Sequence, residues 1–416
     1  MKEAAVKDLL VVTGATGFVG LQLVPGLRDR SEVLLVSRNP IEAARHFPDA
    51  RVCTYEDLRN HDLSNATFIH LAVRNNDRTG SEKDFRAVNV DFLLEVAAIA
   101  KAAGAAGFIN LCSTHALQPN QEDMYGRSKQ EGAARLRSFW PEGSINLYVP
   151  AIYGASFGGK LRALGRLPAI ARRPTLSVLR LAKPILSVER LRDSLLRISA
   201  NVRDQPRGEN RPEMYLADPA PAYGFYAGVK RTIDLLAALG VIVFAGWAMV
   251  LIALYIRLDS QGPAIFAQQR VGKDARTFTC FKFRTMVTGT THAATHNVSV
   301  SSVTKAGRFL RKTKLDELPQ VANVLRNEMS LVGPRPCLPI QQELIELRVA
   351  RDVVSLKPGI TGLAQINNVD MSDPTRLAAL DERYRSFRTL LGDVVILIRT
   401  VLGSGSGDRV RSEKHA

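Results

Sequence analysis

The sequence predicts an α/β protein in two parts: a doubly wound parallel sheet, then a membrane-embedded apolar helix leading into a compact, mainly α basic region. Three observations carry this reading. Residues 1–200 alternate short apolar runs with helical stretches, the order that builds a parallel sheet covered by helices. Residues 235–256 contain no charge and are bracketed by Lys230, Arg231 and Asp234 before and by Arg257 and Asp259 after. Between the two parts, residues 203–227 are rich in Pro, Gly and charge and read as a linker.

The elements follow in order. Strands are expected at Leu9–Thr13 and over residues 32–37, 66–71, 106–112 and 145–149, with helices over 87–103 and 128–139. The domain bounds are 1–202 for the first part, 203–227 for the linker and 228–402 for the second part, with its membrane helix at 232–257. Residues 403–416 are Gly/Ser and charge rich, a tail expected to fray. As a helix the uncharged run is about 33 Å long, enough to reach across a hydrocarbon core. Met1 to Asp8 is short and charged, without the apolar core or cleavage site of a secretory signal, so the N-terminal half is expected in the cytoplasm.

Composition narrows the function classes. Of 416 residues, 46% are hydrophobic and 23% charged, which excludes wholesale disorder, a collagen-like chain and a many-span membrane protein. The net charge is +16, with +6 in residues 1–226 and +10 in 227–416, an excess that suits an anionic partner. The cysteines (Cys53, Cys112, Cys280, Cys337) form no CxxC, which argues against a disulfide scaffold or zinc ribbon and for a reducing compartment. His292 and His296 are four apart in a Thr/Ser-rich stretch, too few ligands for a metal site.

The first candidate site follows the first strand. In Thr13-Gly14-Ala15-Thr16-Gly17-Phe18-Val19-Gly20, Gly14 allows the tight turn and Gly17 lets the backbone approach a pyrophosphate. Phe18 and Val19 open the helix whose N-terminus faces the phosphates, and Gly20 permits close helix–strand packing. Arg38, at the end of the second strand, stands where an acidic residue would read the ribose hydroxyl of NAD. It favours NADP(H), with NAD remaining open. Further on, Tyr125 and Lys129 lie four apart on one helical face, where an ammonium can lower the tyrosine pKa and make it a proton donor and acceptor. Ser113 or Thr114 can hold a substrate oxygen.

The set Gly14/Gly17/Gly20, Leu71-Ala72, Asn89, Ser113, Tyr125 and Lys129, with Pro150-Ala151-Ile152-Tyr153-Gly154, resembles the extended short-chain dehydrogenases/reductases, in their nucleotide-sugar epimerase/dehydratase/reductase branch. The resemblance covers roughly residues 7–200 and implies that Ser113, Tyr125 and Lys129 carry catalysis, with Lys129 also at the cofactor. A short substrate-binding part and Arg38 shift the expectation from an epimerase towards an NADPH-dependent ketosugar reductase. A C4 epimerase and a non-catalytic nucleotide-binding scaffold stay open.

The second candidate site lies after the apolar run. Asp316-Glu317 directly follows Arg308, Arg311, Lys312 and Lys314, and Pro319 is placed to start a helix. A carboxylate among cations at a helix N-terminus is expected to stay ionised, and aspartate is a covalent phosphoryl acceptor in other enzymes. The blocks Lys230-Arg231, Leu258-Asp259-Ser260, Lys282–Met286, Leu315–Gln320, Asn323-Val324-Leu325, Met329–Pro336 and Pro358–Gly362 together resemble the bacterial sugar transferases, the monotopic phosphoglycosyl transferases. That resemblance runs from about Gly228 to Leu402. It implies transfer of a phosphosugar from a UDP-sugar to polyprenyl phosphate with release of UMP, Asp316 forming a covalent phosphosugar intermediate and Mg²⁺ assisting. Asp316, Glu317 and Asp381 would hold the metal; Lys282, Arg284, Arg308, Arg311 and Arg335 would surround the phosphates. Asp381 with Tyr384 resembles the family's late Asp and Tyr positions.

The expected partners are therefore a UDP-sugar, polyprenyl phosphate and membrane lipid, with no nucleic acid and with a homodimer open to it. The expected place is the bacterial inner membrane, both catalytic parts on its cytoplasmic face. The family often breaks its apolar helix with Ser-Pro; Gly246-Trp247 stands at that place here, and a re-entrant hairpin turning near Gly246 is expected.

Overall fold

The computed structural model describes residues 9–75, 79–118, 122–204, 213–219, 223–289 and 302–403. His292 and His296 lie outside them. The chain divides into two compact units, one reaching Pro219 and the other starting at Ala220 and including residues 181–183.

In the first unit, among the described residues, seven strands form one sheet: β1 (Leu9–Thr13), β2 (Glu32–Val36), β3 (Arg51–Cys53), β4 (Thr67–His70), β5 (Gly107–Ser113), β6 (Ser144–Val149) and, after two short strands, β9 (Glu213–Tyr215). All pairings are parallel, in the order β3-β2-β1-β4-β5-β6-β9. Chain order reverses between β1 and β4, which opens a crevice at the carboxyl ends of the strands. Val12, Leu35 and Ile109 feed an apolar cluster on one face, and Val11, Leu34 and Phe108 feed a second cluster on the other. That explains why these strands read as unbroken apolar runs: a parallel sheet is covered on both sides. Helix α1 (Phe18–Arg28) packs into the first cluster, and α2 (Leu93–Ala102) and α3 (Met124–Phe139) into the second.

β7 (Ala151–Tyr153) pairs with β8 (Ile185–Ser187) outside the main sheet, and α4 (Ala169–Ala182) lies between them in sequence. α5 (Val188–Asp204) follows β8. The stretch expected to be a linker contains β9, because Met214 joins the first apolar cluster; only parts of residues 203–227 are described. The three-residue strands β3 and β7–β9 are too short to show an alternation in sequence.

The second unit begins with α6 (Tyr223–Asp259), a helix long and apolar enough to cross a membrane. The break expected near Gly246 is absent: the helix runs unbroken through that residue, and without a proline every backbone hydrogen bond can be made within the helix. The middle and the last turns of α6 nonetheless dock on the same body. Ala238 and Val241 pack with Cys280, Val324 and Met329, whereas Met249, Ile252 and Ile256 pack with Ala264, Phe283 and Leu310. The remaining face is exposed and apolar, with Phe244 at 80% and Trp247 at 68% exposure.

After α6 come an antiparallel hairpin, β10 (Ile265–Val271) with β11 (Thr277–Phe283), and helix α7 (Lys305–Thr313). A 3₁₀ turn (Leu315–Gln320) and the short helix α8 (Val321–Leu325) follow. β12 (Ser330–Val332) pairs in parallel with β13 (Gly359–Thr361), and α9 (Gln342–Ala350), α10 (Pro374–Phe387) and α11 (Leu390–Val401) complete the unit.

Candidate functional sites

The first site is the crevice between β1 and β4. Gly14 turns the chain with φ +73°, and a Cβ there would stand 2.5 Å from the backbone nitrogen of Ala72, so only glycine fits. Gly17 is the N-cap residue of α1 and offers no side-chain cap; the first helical turn, with Phe18 and Val19, contains no acidic residue, and Gly20 is buried behind it. The helix therefore presents unclaimed backbone N–H groups and a positive dipole end, a cradle suited to a pyrophosphate. Beneath the turn, Thr13 Oγ1 bonds His70 Nδ1 at 2.9 Å. Arg38 lies exposed just beyond β2.

Ser113 closes β5, and its Oγ accepts from the His115 amide. Tyr125 and Lys129 sit on the first turns of α3, whose N-cap Asp123 accepts from the Gly126 amide at 2.7 Å. Asn89 anchors this start: its Nδ2 donates to Ser128 Oγ at 2.9 Å, and Ser128 Oγ donates to the Tyr125 carbonyl. Lys129 Nζ donates to the Leu111 carbonyl at 3.0 Å, and burial lowers its pKa. Sequence reasoning missed His115, whose Nδ1 lies 3.0 Å from Asp123 Oδ2 and whose ring meets Tyr125 edge-on at 5.8 Å. The signal was present, since His115 follows Ser113 by two residues. Also missed was Asp218, which binds Tyr153, Arg180 and Ser187 (Tyr153 Oη at 2.7 Å) from within the presumed linker.

The second site lies in the second unit, where the 3₁₀ turn meets β11. Lys314 adopts a left-handed conformation, φ 59°, and reverses the chain between α7 and the turn. That reversal places Glu317 Oε1 3.0 Å from both Lys282 Nζ of β11 and Arg335 Nη2. Asn323 locks the turn's continuation to β11, donating to the Thr279 carbonyl and accepting from the Phe281 amide. Arg335 is delivered by a close backbone contact: a Cβ on Gly359 would lie 2.1 Å from the Gly333 nitrogen. Arg270, Lys282, Glu317, Gln320 and Arg335 line one cleft together. Arg270 and Gln320 stand inside the runs 268–272 and 315–320, to which the sequence assigned no individual role; Arg270 lies beside the hairpin turn.

Asp316 differs from expectation. Burial is the larger cause and the Glu317 charge the second; together they push its pKa up to about 6 against the opposing pull of Lys282, Arg311 and Arg335. It is thus a comparatively basic carboxylate that is still mostly ionised at neutral pH. The pair also stands in the 3₁₀ turn rather than at an α-helix start, because Pro319 is absorbed inside that turn.

Two expected site residues are engaged elsewhere and a third is exposed. Arg284, one residue beyond β11, donates to the carbonyls of Gln261 and Ser260 just past the end of α6 and to that of Ile256 in its last turn, where orphaned carbonyls attract a cation. Arg308 is exposed on α7, one turn before Arg311, which reaches Thr285 Oγ1 at 3.0 Å. Asp381 is fully buried and taken by Arg348, whose Nε and Nη2 both lie within 3.0 Å of Oδ2. Among the described residues no group of three His, Cys, Asp or Glu could hold a metal. Asp316 and Glu317 remain as adjacent hard-oxygen donors, a set that fits Mg²⁺ when substrate phosphate and water complete its shell.

Two family profiles match the chain: "NAD dependent epimerase/dehydratase family" over residues 10–176 and "Bacterial sugar transferase" over residues 225–405. An undecaprenyl-phosphate glucose phosphotransferase of Komagataeibacter xylinus is 41% identical over 187 residues, 41% of this chain and 35% of that protein. A UDP-glucose:undecaprenyl-phosphate glucose-1-phosphate transferase of Caulobacter vibrioides is 36% identical over 41% of this chain and 68% of its own length. The chain spans only 35% and 39% of the first two relatives it matches. A UDP-glucuronic acid 4-epimerase of Bacillus cereus solved with NAD overlaps 50% of this chain and 77% of its own, at 15% identity and a TM-score of 0.36. At that level it adds nothing to the sheet topology.

Proposed function

Because the chain belongs to the bacterial sugar transferase family, with a domain of the NAD dependent epimerase/dehydratase family ahead of it, we propose that it is a two-enzyme membrane protein of bacterial glycan assembly. The second unit transfers a phosphosugar from a UDP-sugar to undecaprenyl phosphate. The observation that carries this reading is the Asp316–Glu317 pair set among Arg270, Lys282, Arg311 and Arg335. Four cations against two carboxylates leave a positive surplus for a diphosphate. An Asp316 oxygen attacks the sugar-bearing phosphorus, the phosphorus–oxygen bond to the UMP half breaks, and UMP leaves with that electron pair. An oxygen of undecaprenyl phosphate then attacks the same phosphorus and releases Asp316. Lys282 and Arg335 stabilise charge on the phosphoryl oxygens while Glu317 holds both cations in place. Mg²⁺, when bound by Asp316 and Glu317, supplies further neutralisation. The test is the UMP released from UDP-sugar, together with radiolabel from a β-phosphate-labelled UDP-sugar retained on denatured protein. Asp316→Asn is expected to lose both, and a near-normal rate of UMP release in that variant would remove the covalent assignment.

The first unit reduces a C4-ketosugar with NADPH. Tyr125 donates the proton to the substrate oxygen, Lys129 tunes that tyrosine, Ser113 holds the oxygen, and Arg38 meets the 2′-phosphate. The cofactor, when bound on the Gly14–Gly20 turn, supplies the hydride. A C4 epimerase is the second reading, favoured by the family match over residues 10–176; NAD⁺ retained through purification would support it over the reductase. The chain works at the inner membrane with both units on the cytoplasmic face.

A further inference from the structure

Residues 158–180 of the first unit hold six cations and no carboxylate. Two of them face inward and fix the segment. Arg172 donates to the Leu167 and Gly165 carbonyls at 2.9 and 3.0 Å, and Arg180 pairs with Asp218 at 2.9 Å. Arg162, Arg166 and Arg173 are exposed. No residue of α4 is buried. Its outward stripe reads Ile170, Arg173, Pro174, Ser177 and Val178, positions i, i+3, i+4, i+7 and i+8, with Ile170 at 89% and Val178 at 66% exposure.

We propose that this segment is an interfacial surface that seats the first unit on an anionic phospholipid bilayer, Ile170 and Val178 entering the headgroup boundary and Arg162, Arg166 and Arg173 meeting lipid phosphates. Cations flanking a solvent-facing apolar stripe are the composition of helices that lie in the membrane plane. Charge complementarity selects anionic lipid, because each juxtamembrane cation adds to the attraction and no carboxylate opposes it here. A soluble nucleotide would recruit the arginines but has no use for an apolar stripe two turns long. The inference rests on the chain being membrane-bound through α6, which keeps a bilayer within reach of the tethered first unit.

The test uses the full-length protein in nanodiscs containing nitroxide-labelled lipid, with a bimane label at Ile170→Cys or, as control, at Val243→Cys on the exposed face of α6. In bilayers containing phosphatidylglycerol both labels are expected to be quenched. With phosphatidylcholine alone, or in the R162Q/R166Q/R173Q variant, quenching at residue 170 is expected to be lost and that at residue 243 kept. An unquenched residue 170 beside a quenched residue 243 overturns the proposal, as does equal quenching at residue 170 in neutral lipid. Protection of residue 170 from a soluble quencher by UDP-glucose without lipid assigns the arginines to a nucleotide and also overturns it. If neither label is quenched, the membrane reading fails and takes the proposal with it.

Discussion

Asp316 keeps a buried carboxylate at a cost in stability. Its folded pKa, about 6, lies above the value of 3.8 for an ordinary aspartate. Between those two values the folded chain keeps a proton that the unfolded chain has released, so this residue's contribution to stability is present below pH 4 and lost as pH rises through 6. Asp316→Asn removes the cost of ionising. It is expected to raise the unfolding free energy on the order of 1–3 kcal/mol at pH 7.5 and to change it little at pH 3.5, as denaturant melts at both values would show. Wild-type UMP release should fall as pH drops below about 6; a flat profile down to pH 5 would detach Asp316 from the chemistry. At the other site, Arg38→Asp is expected to weaken NADPH binding far more than NADH binding in fluorescence titrations, since only the 2′-phosphate distinguishes the two. Unchanged selectivity would mean that Arg38 points only into solvent. At this scale the sequence was legible where chemistry and chain neighbourhood coincide, as in Asp316-Glu317 and the Gly14–Gly20 turn. It was not legible for Arg284, Arg308 and Asp381, because a charged letter does not reveal which way its side chain turns: one caps a helix, one faces solvent and one is locked to Arg348.

Among the elements, α6 depends on the docking of its first turns. Lys230 Nζ lies 2.6 Å from Asp393 Oδ2 and 3.1 Å from the Val332 carbonyl, while Tyr384 donates to Asp393 Oδ1 at 2.8 Å. Arg231 caps α8 through the Val324 and Leu325 carbonyls, and Asp234 accepts from the Leu331 amide at 2.9 Å. Lys230-Arg231 was visible as a motif, but its partners come from residues up to 163 positions away, which no local pattern encodes. The Lys230 and Asp393 side chains are 19% and 9% exposed, so removing one leaves a largely desolvated charge. Lys230→Met and Asp393→Asn are each expected to cost about 3–5 kcal/mol. The double variant should cost less than the sum, by on the order of 1–3 kcal/mol, in thermal or denaturant unfolding in detergent. Strict additivity would show that the pair does not hold the helix.

For the whole molecule, the order of a parallel sheet, a long apolar helix and a basic helical region was readable from periodicity and the uncharged run, whereas the unbroken path of that run was not. A helix of 37 residues is about 55 Å long, well beyond a hydrocarbon core of about 30 Å. A straight span would separate its ends across the membrane. Instead Lys230 and Arg231 near one end, and Ile252 and Ile256 near the other, all pack against the second unit. One folded body cannot lie on both sides of a bilayer, so we expect both ends on one face, with the exposed apolar side bearing Phe244 and Trp247 turned to lipid. Gly246 is not needed as a hinge, since nothing lies within 4 Å of where its Cβ would stand and the helix passes through it. Gly246→Leu is accordingly expected to leave transferase activity near wild type. The decisive measurement labels single cysteines at Gly228 and Leu258, exposed positions that spare the Lys230 network, with a membrane-impermeant thiol reagent. Both should be protected in intact cells and labelled in inverted vesicles. The four native cysteines are free and buried, which keeps their background low. Labelling of the two positions from opposite sides would establish a full span and overturn the expectation of a single face.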